Sequence, residues 1–502
     1  MKKRNTLIAT LLSLFFAPGI VSCNDWLEVD SSSNVIEEVL FEDPAGFRTA
    51  VNGVYRLLSQ QQLYGRELTW GALSVLGNNY DATRLPGGST SSAFSYREMA
   101  AGNYASSYTA DLIDPIWEQG YRVIANCNNI IQYTNERDGA FFIEGEVEKK
   151  MILGEMLGLR AMMHLDILRL FAPATRADDG KTYIPYVTAY PEKQPEHLTV
   201  AATLDKIIAD LEQARTLLAE VDTVAYPTRL SSWSARLTSA YSTADFISKR
   251  GTHFNYFAAA AILARAYQWR GATGDAEKAY QAARGVYIYS VTKTWFTFTP
   301  STNLAVVENN VHRKMPHDII FTLFNNNLYA MVAAATPNAT SQSFFIKNDG
   351  LLFGGSYADD FRLNLINADK TSRRWTIPTG NQTAYPTADI IRQQGPLAPV
   401  VRLTEMAYIM CEYLVDVDMT QAVTILTRIK TARGSKTPVN SVSKEAFLED
   451  LYLEMTREFL AEGQTFFLYK RLNKPMYNGA GVIDMTGRYA LPIPYSEASY
   501  YL

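Results

Sequence analysis

Two pairs of residues in this chain are spaced for covalent or metal chemistry: Glu458 with Glu462, four apart, and His312 with His317, five apart. Carboxyls four apart share one helix face and can serve as general acid and base. Imidazoles need at least one further ligand to hold a metal, and the remaining three histidines are scattered through the sequence. The histidine pair falls in a loop-like stretch, so neither a metal nor a cofactor is expected. The H-E-x-x-H, G-x-S-x-G, P-loop and C-x-x-C patterns are missing, and "GAG" at 479–481 is read as a turn. Other acids, in "ERDGAFFIEGEVE" and "YADDF", read as a solvated helix entrance and loop caps. Composition leaves a glycosidase pair open, since its partners would be neighbours in space rather than in sequence.

Reversible binding has better material. Sugar rings present C–H faces that pack on aromatics and hydroxyls that want amides, carboxylates and guanidinium groups. Loops mixing Tyr with Asn, Asp and Arg suit that task. "GNNYDATR" supplies Asn78, Asn79, Tyr80, Asp81 and Arg84, with Tyr96 and Tyr104 downstream, and "FNNNLY" supplies Asn325, Asn326, Asn327 and Tyr329. Turn chemistry is the competing reading of the first segment, because Asn and Asp bond their own backbone. Of the tryptophans, Trp375 follows Arg373 and Arg374 and is expected to be exposed. Trp70 stays open, Trp295 reads as packing, and Trp117, Trp233 and Trp269 fall in or near helical patterns as core.

The elements that would carry these residues are mostly helical. Asp43 and Pro44 open a helix with Phe47, Val51, Val54, Tyr55 and Leu58 on one face. Helical periodicity recurs in "IDPIWEQGYRVIANCNNIIQYTN". It recurs again in "GEVEKKMILGEMLGLRAMMHLDILRLF", where Leu153, Leu157, Ala161, Leu165 and Leu168 form a stripe. A third such stretch, "LTVAATLDKIIADLEQARTLLAE", opens on a Thr cap. The stretch from 254 to 287 reads as a helical hairpin turning at Gly271 and Gly274, and 402–434 repeats its plan. Each is close to the ~34-residue length of a tetratricopeptide unit. Residues 64–107 look loop-rich. "VYIYSVTKTWFTFTP" and "HDIIFTLFNNN" have strand composition, and "NDGLLFGGSYADDFR" is rich in turns.

At 502 residues and a net charge of −4, with no basic block, the chain has the size for a large core and lacks the footprint of a nucleic-acid binder. The N-terminus reads as an address. Lys2, Lys3 and Arg4 precede an apolar run over 7–16, which is secretory-signal arithmetic and too short to span a bilayer. Ile20-Val21-Ser22-Cys23 then resembles a bacterial lipobox, with Cys23 lipidated and residues 1–22 removed. Three acyl chains would anchor the protein stably. The remaining Cys127 and Cys411 lie in helical patterns and read as buried thiols rather than a disulfide framework.

Several motifs together resemble the SusD/RagB outer-membrane nutrient-binding lipoproteins of Bacteroidota: Cys23-Asn24-Asp25-Trp26-Leu27, "RAMMHLDILRLFAP" at 160–173, "TREFLAEGQTFFLYKRLN" at 456–473 and "YALPIPYSE" at 489–497. The second carries His164 and Ala172 where the family has an aromatic and Gly. The third keeps Arg457, Glu458, Glu462, Gly463 and Arg471 but has Thr465 where Arg or Trp is common. The resemblance implies a mostly α, SusD-like fold of about four tetratricopeptide-like hairpins, with a large irregular insert containing loops and strands. That fold would fill one domain over 23–502, with scaffold at about 111–285 and 402–470 and ligand-binding regions at about 64–110 and 286–401.

The resemblance also implies a lipid-anchored, outward-facing outer-membrane protein that hands oligosaccharides to a SusC-like TonB-dependent barrel, without enzymatic activity. The acids Asp25, Glu28 and Asp30 fit surface export. It makes Glu458 and Glu462 structural, paired with Arg457, Arg471 or backbone amides. Peptide ligands, a surface glycoside hydrolase and a pure repeat scaffold are the alternatives. The identity of the glycan is not written in the scaffold motifs.

Overall fold

A computed structural model describes residues 38–85, 92–191, 195–238, 245–304, 312–335, 343–347, 349–355, 359–376, 394–477 and 481–499. The signal segment and Cys23 lie outside the described residues. The chain falls into two compact units, residues 1–47 and 48–502. In the first, Phe41 and Phe47 meet edge to face at 4.8 Å. Helix α1, Pro44–Leu58, begins where the sequence places it, with Asp43 Oδ1 accepting from the Ala45 N–H at 2.8 Å.

The second unit is a stack of helices. After two short helices, α2 (Ala72–Leu76) and α3 (Ser92–Ala101), come the long α4 (Ser107–Asn135) and α5 (Glu146–Phe171). The short strands β1 (Thr182–Pro185) and β2 (His197–Thr199) pair antiparallel and lead into α6 (Val200–Ala219). Helices α7 (Tyr256–Arg270) and α8 (Asp275–Thr292) form one hairpin, and α9 (Leu403–Val417) and α10 (Met419–Ala432) form the next. Helices α11 (Lys444–Glu458) and α12 (Gln464–Leu472) follow. Each helix from α4 to α10 packs on its predecessor, giving the repeat scaffold expected from the hairpin spacing.

Caps explain many of the boundaries. Thr199 Oγ1 accepts from Ala202 N–H at 3.2 Å and Asn255 Oδ1 from Ala258 N–H at 3.0 Å. Gly271 closes α7 at φ 62° and Gly274 opens α8 at φ 83°, conformations that glycine adopts without a Cβ penalty. Helix α4 begins two turns before the proline at its expected start. Ser106 caps it, and Pro115 lies inside the helix.

Helix α5 departs from its expected one-sided stripe, because it is buried on nearly every face from Met151 to Phe171. A helix surrounded by neighbours needs no polar side. A Cβ at its Gly158 would sit 2.0 Å from the Phe254 ring, so the approach of that ring requires glycine.

The strand expectation for 286–300 fails at its start. Residues as far as Thr292 continue helix α8, burying Val286, Tyr287 and Ser290, so tertiary packing overrides β propensity. "HDIIFTLFNNN" does form a strand: β3 (Ile319–Phe324) pairs antiparallel with β4 (Leu397–Arg402), Ile319 opposite Arg402. A last pair, β5 (Met476–Tyr477) and β6 (Val482–Ile483), follows α12. Cys127 and Cys411 are buried free thiols. Among the described residues, no helix is long and apolar enough to cross a membrane.

Candidate functional site

The two irregular regions meet. Tyr80 bridges Ile346, Asp81 N–H donates to Phe345 O at 2.9 Å, and Lys347 N–H donates to Asn79 O at 3.0 Å. This short antiparallel contact brings "GNNYDATR" against residues 343–347. The octapeptide buries some of its residues and leaves others half-exposed.

The inward set builds a core. Phe344 sits edge-on to Trp70, Tyr80 and Tyr96 at 5.4, 5.2 and 5.1 Å. Tyr80 donates its hydroxyl to Trp70 O at 2.7 Å and Tyr96 to Glu67 Oε1 at 2.9 Å. Burial raises the Tyr80 phenol above its ordinary range and the Tyr96 phenol well above it, where the Glu67 charge adds to the shift. Asn79 Oδ1 accepts from Ala461 N–H at 3.1 Å, and Trp375 Nε1 donates to Ala461 O at 2.8 Å. Ala461 has φ 58°, an unusual conformation for a residue with a Cβ, and these two side chains clamp it on both sides.

The reading of Trp375 as exposed is therefore corrected: it is 2% exposed, sealed in by the turn it supports. Asn79, Tyr80 and Tyr96 are likewise interior, at 4%, 3% and 5%, with their polar atoms engaged by protein. All four side chains are packed into the protein. Tyr329 is also buried; its ring lies where a Cβ on Gly395 would stand 2.3 Å from it.

The outward set remains accessible. Asn78, in a left-handed conformation (φ 53°), accepts from Lys347 Nζ at 2.7 Å. Asp81 caps the turn by accepting from Thr83 N–H at 3.0 Å and Thr83 Oγ1 at 2.7 Å. The Arg84 guanidinium lies 3.7 Å above the Phe345 ring, within cation–π range. Burial lowers the Lys347 ammonium, partly offset by Asp81. Asn326 is exposed at the end of β3. Asn325, beside it, donates to Ser59 O at 2.7 Å, which ties this loop to the stretch after α1. Tyr104 stands apart. It is half-buried and donates to Arg488 O at 2.9 Å, and burial pushes its phenol up to about 12. Sequence reasoning missed Phe344, Phe345 and Lys347. The one available signal was the paired Phe in "SFFIK", and both rings are buried.

Glu458 and Glu462 belong to a buried ionic network rather than a reactive pair. Glu458 Oε2 accepts from Arg362 Nη1 at 2.9 Å and from Arg433 Nε at 3.0 Å, and Arg402 bonds Oε1. Arg433 reaches on to Asp318, and Arg402 Nη2 lies 2.9 Å from Glu462 Oε2. Burial alone would raise the Glu458 carboxyl, but Arg433, Arg402 and Arg362 outweigh it and hold it well below the usual carboxylate range. The expected partners turn elsewhere: Arg457 Nε donates to Leu352 O at 2.6 Å, and Arg471 Nη2 to Glu412 Oε1 at 2.6 Å.

His164, the departure in the second motif, is buried and stacked on Tyr186 at 4.0 Å. Its Nδ1 meets Arg160 O at 2.9 Å while its Nε2 accepts from Val187 N–H at 3.0 Å. Burial pushes its pKa down to about 3, so the ring is neutral and links α5 to the loop after β1. His312 and His317 stack at 5.2 Å, with Asn303 Nδ2 3.3 Å from His312 Nδ1 and 3.5 Å from His317 Nε2. The Asn303 amide thus bridges the two rings.

The described residues form a stacked helical scaffold carrying irregular loop regions, and solved structures share that fold. A SusD superfamily protein from Bacteroides thetaiotaomicron matches with TM-score 0.62 at 21% identity, covering 91% of this chain and 98% of that one. A SusD-like carbohydrate binding protein from Bacteroides vulgatus matches with TM-score 0.63 at 17% identity, covering 91% and 96%.

The SusD-like family model described as "Starch-binding associating with outer membrane" matches residues 25–244. Two SusD-like proteins of Formosa agariphila, P25 and P2, are 25% and 26% identical over 46% and 48% of this chain. Those matches span 41% and 43% of the relatives' own lengths. The SusD-like match in sequence thus covers a little under half of the chain, and the likeness to SusD superfamily structures covers 91% of it as a shared fold.

Proposed function

We propose that this protein is a cell-surface, lipid-anchored binder of oligosaccharides that passes them to a TonB-dependent outer-membrane barrel, with no chemistry of its own. The observation that carries the reading is the convergence of two sequence-distant loops on one polar, aromatic-backed face. There the Arg84 guanidinium stacks on Phe345 beside the Asn78–Lys347 pair. That face offers amide, carboxylate, guanidinium and ammonium groups to sugar hydroxyls. The family description and the carbohydrate-binding neighbour from Bacteroides vulgatus support the ligand class. The lipobox-like Cys23 supports the anchor.

Titration calorimetry with a panel of neutral and acidic oligosaccharides and mixed peptides tests the ligand. Saturable sugar binding lost in Arg84→Ala supports the reading, and binding of peptides alone replaces the ligand class. Labelling cells with a palmitate analogue tests the anchor, which requires Cys23 and is lost in Cys23→Ala.

A further inference from the structure

Lys314 is 1% exposed, yet its Nζ makes no hydrogen bond. It rests 3.5 Å over the ring of Trp375, the residue that clamps Ala461. Two more buried donors adjoin it. Gln394, 2% exposed, is held by its Oε1, which accepts the Lys314 backbone N–H at 3.1 Å, and this leaves its Nε2 without an acceptor. Arg374, 3% exposed, stands near with its Nη1 2.5 Å from Glu462 Oε1 in an ion pair. Buried polar groups are nearly always satisfied, and each orphan costs about 1–3 kcal/mol, so the unpartnered Lys314 and Gln394 call for a missing partner.

The chemistry of that partner follows from the donor set. Both unpartnered groups donate. A water that accepted from both would itself have to donate to something, whereas an anion accepts and donates to none. The charges point the same way. Among the described residues, five buried guanidinium groups (Arg362, Arg374, Arg402, Arg433 and Arg457) face five buried carboxylates (Asp318, Asp360, Glu454, Glu458 and Glu462). Lys314 is a cation beyond that balance. Of the charged neighbours that act on it, Arg374 and Arg313 repel, and Glu462 alone attracts. Glu462 is already shared between Arg374 and Arg402.

We infer that Lys314, Arg374 and Gln394 form an interior binding site for one small inorganic anion, a halide or an oxyanion, seated beside the Trp375 ring. The anion is a structural element rather than cargo, because these groups are sealed from solvent. It completes the ionic network at the place where the Ala461 turn, the Trp375 segment and the start of β4 meet. Burial and Arg374 would otherwise drive the Lys314 ammonium well below its usual range, and a bound anion restores its charge.

Crystals of the purified protein soaked in sodium bromide test this directly. An anomalous peak in contact with Lys314 Nζ and Gln394 Nε2 is expected; a peak absent there, or density for water only, overturns the site. Melting in solution provides the second test, at constant ionic strength with sodium gluconate replaced by sodium chloride or sodium phosphate. Wild type gains about 2 °C at saturation. Lys314→Met, which keeps the length and removes the charge, loses that gain while folding normally. Gln394→Leu weakens anion affinity several-fold. An equal gain in wild type and Lys314→Met reflects a general salt effect and contradicts the inference.

Discussion

Two groups of polar residues in this molecule have similar composition and opposite tasks. Around Glu458, arginines and acids are buried and each has a partner drawn from a distant stretch of chain. Along Asn78, Asp81 and Arg84, similar groups are half-buried and meet Lys347, Thr83 and the Phe345 ring. Burial makes the difference. An interior charge must be paired, so its geometry is fixed and serves the fold, whereas a rim charge keeps hydrogen-bonding capacity for something else. The octapeptide at 77–84 contains both kinds side by side: Asn79 and Tyr80 inward, Asn78 and Asp81 outward.

The sharpest way to break this contrast is Glu458→Gln. Removing the charge strands Arg362, Arg402 and Arg433 in the interior and should cost about 3–5 kcal/mol, read as a large loss in denaturation midpoint. An effect below about 1 kcal/mol would mean the network is not what secures the Ala461 turn. Trp375→Phe comes next. It leaves Ala461 O without its donor and opens space beneath Lys314, for about 1–3 kcal/mol.

Acid should act on the interior. His164 has a folded pKa of about 3 against an ordinary 6.5, so the unfolded chain binds its proton first. Stability then falls as pH drops below 6.5, by about 1.4 kcal/mol per pH unit for this group. Glu155 is raised by burial but lowered further by Arg250 and His253, to about 2. Its contribution is present above its ordinary 4.5 and drains away as pH falls toward 2. Chemical denaturation across pH 3–7 reads both, and His164→Gln should flatten the upper part of that profile.

How much of this was legible beforehand depends on how local the cause is. Caps at Asp43, Thr199 and Asn255, and glycines at 271 and 274, act within a turn or two, and the helices and hairpins they bound were readable. The continuation of α8 through "VYIYS" was not, because its apolar face is satisfied by neighbours remote in sequence. Trp375 misled for the same reason. Arg373 and Arg374 beside it suggested solvent, but Arg374 finds Glu462 and the indole finds Ala461, and both partners lie far along the chain. The candidate loop was chosen by composition, yet composition does not say which of its residues face inward.

Smaller effects sharpen the comparison at the boundary. Tyr80→Phe removes one buried hydrogen bond and should cost about 1 kcal/mol of stability, with sugar affinity changed only through the fold. Arg84→Ala, on the rim, should shift stability by less than about 0.5 kcal/mol.

The measurement that tests the central claim most directly is calorimetry of Arg84→Ala beside wild type, with an oligosaccharide that wild type binds and melting recorded on the same samples. The account predicts affinity weakened about tenfold or more, equivalent to about 1.4 kcal/mol, with an unchanged melting temperature. Wild-type affinity in the variant would contradict it and move the binding face elsewhere on the molecule.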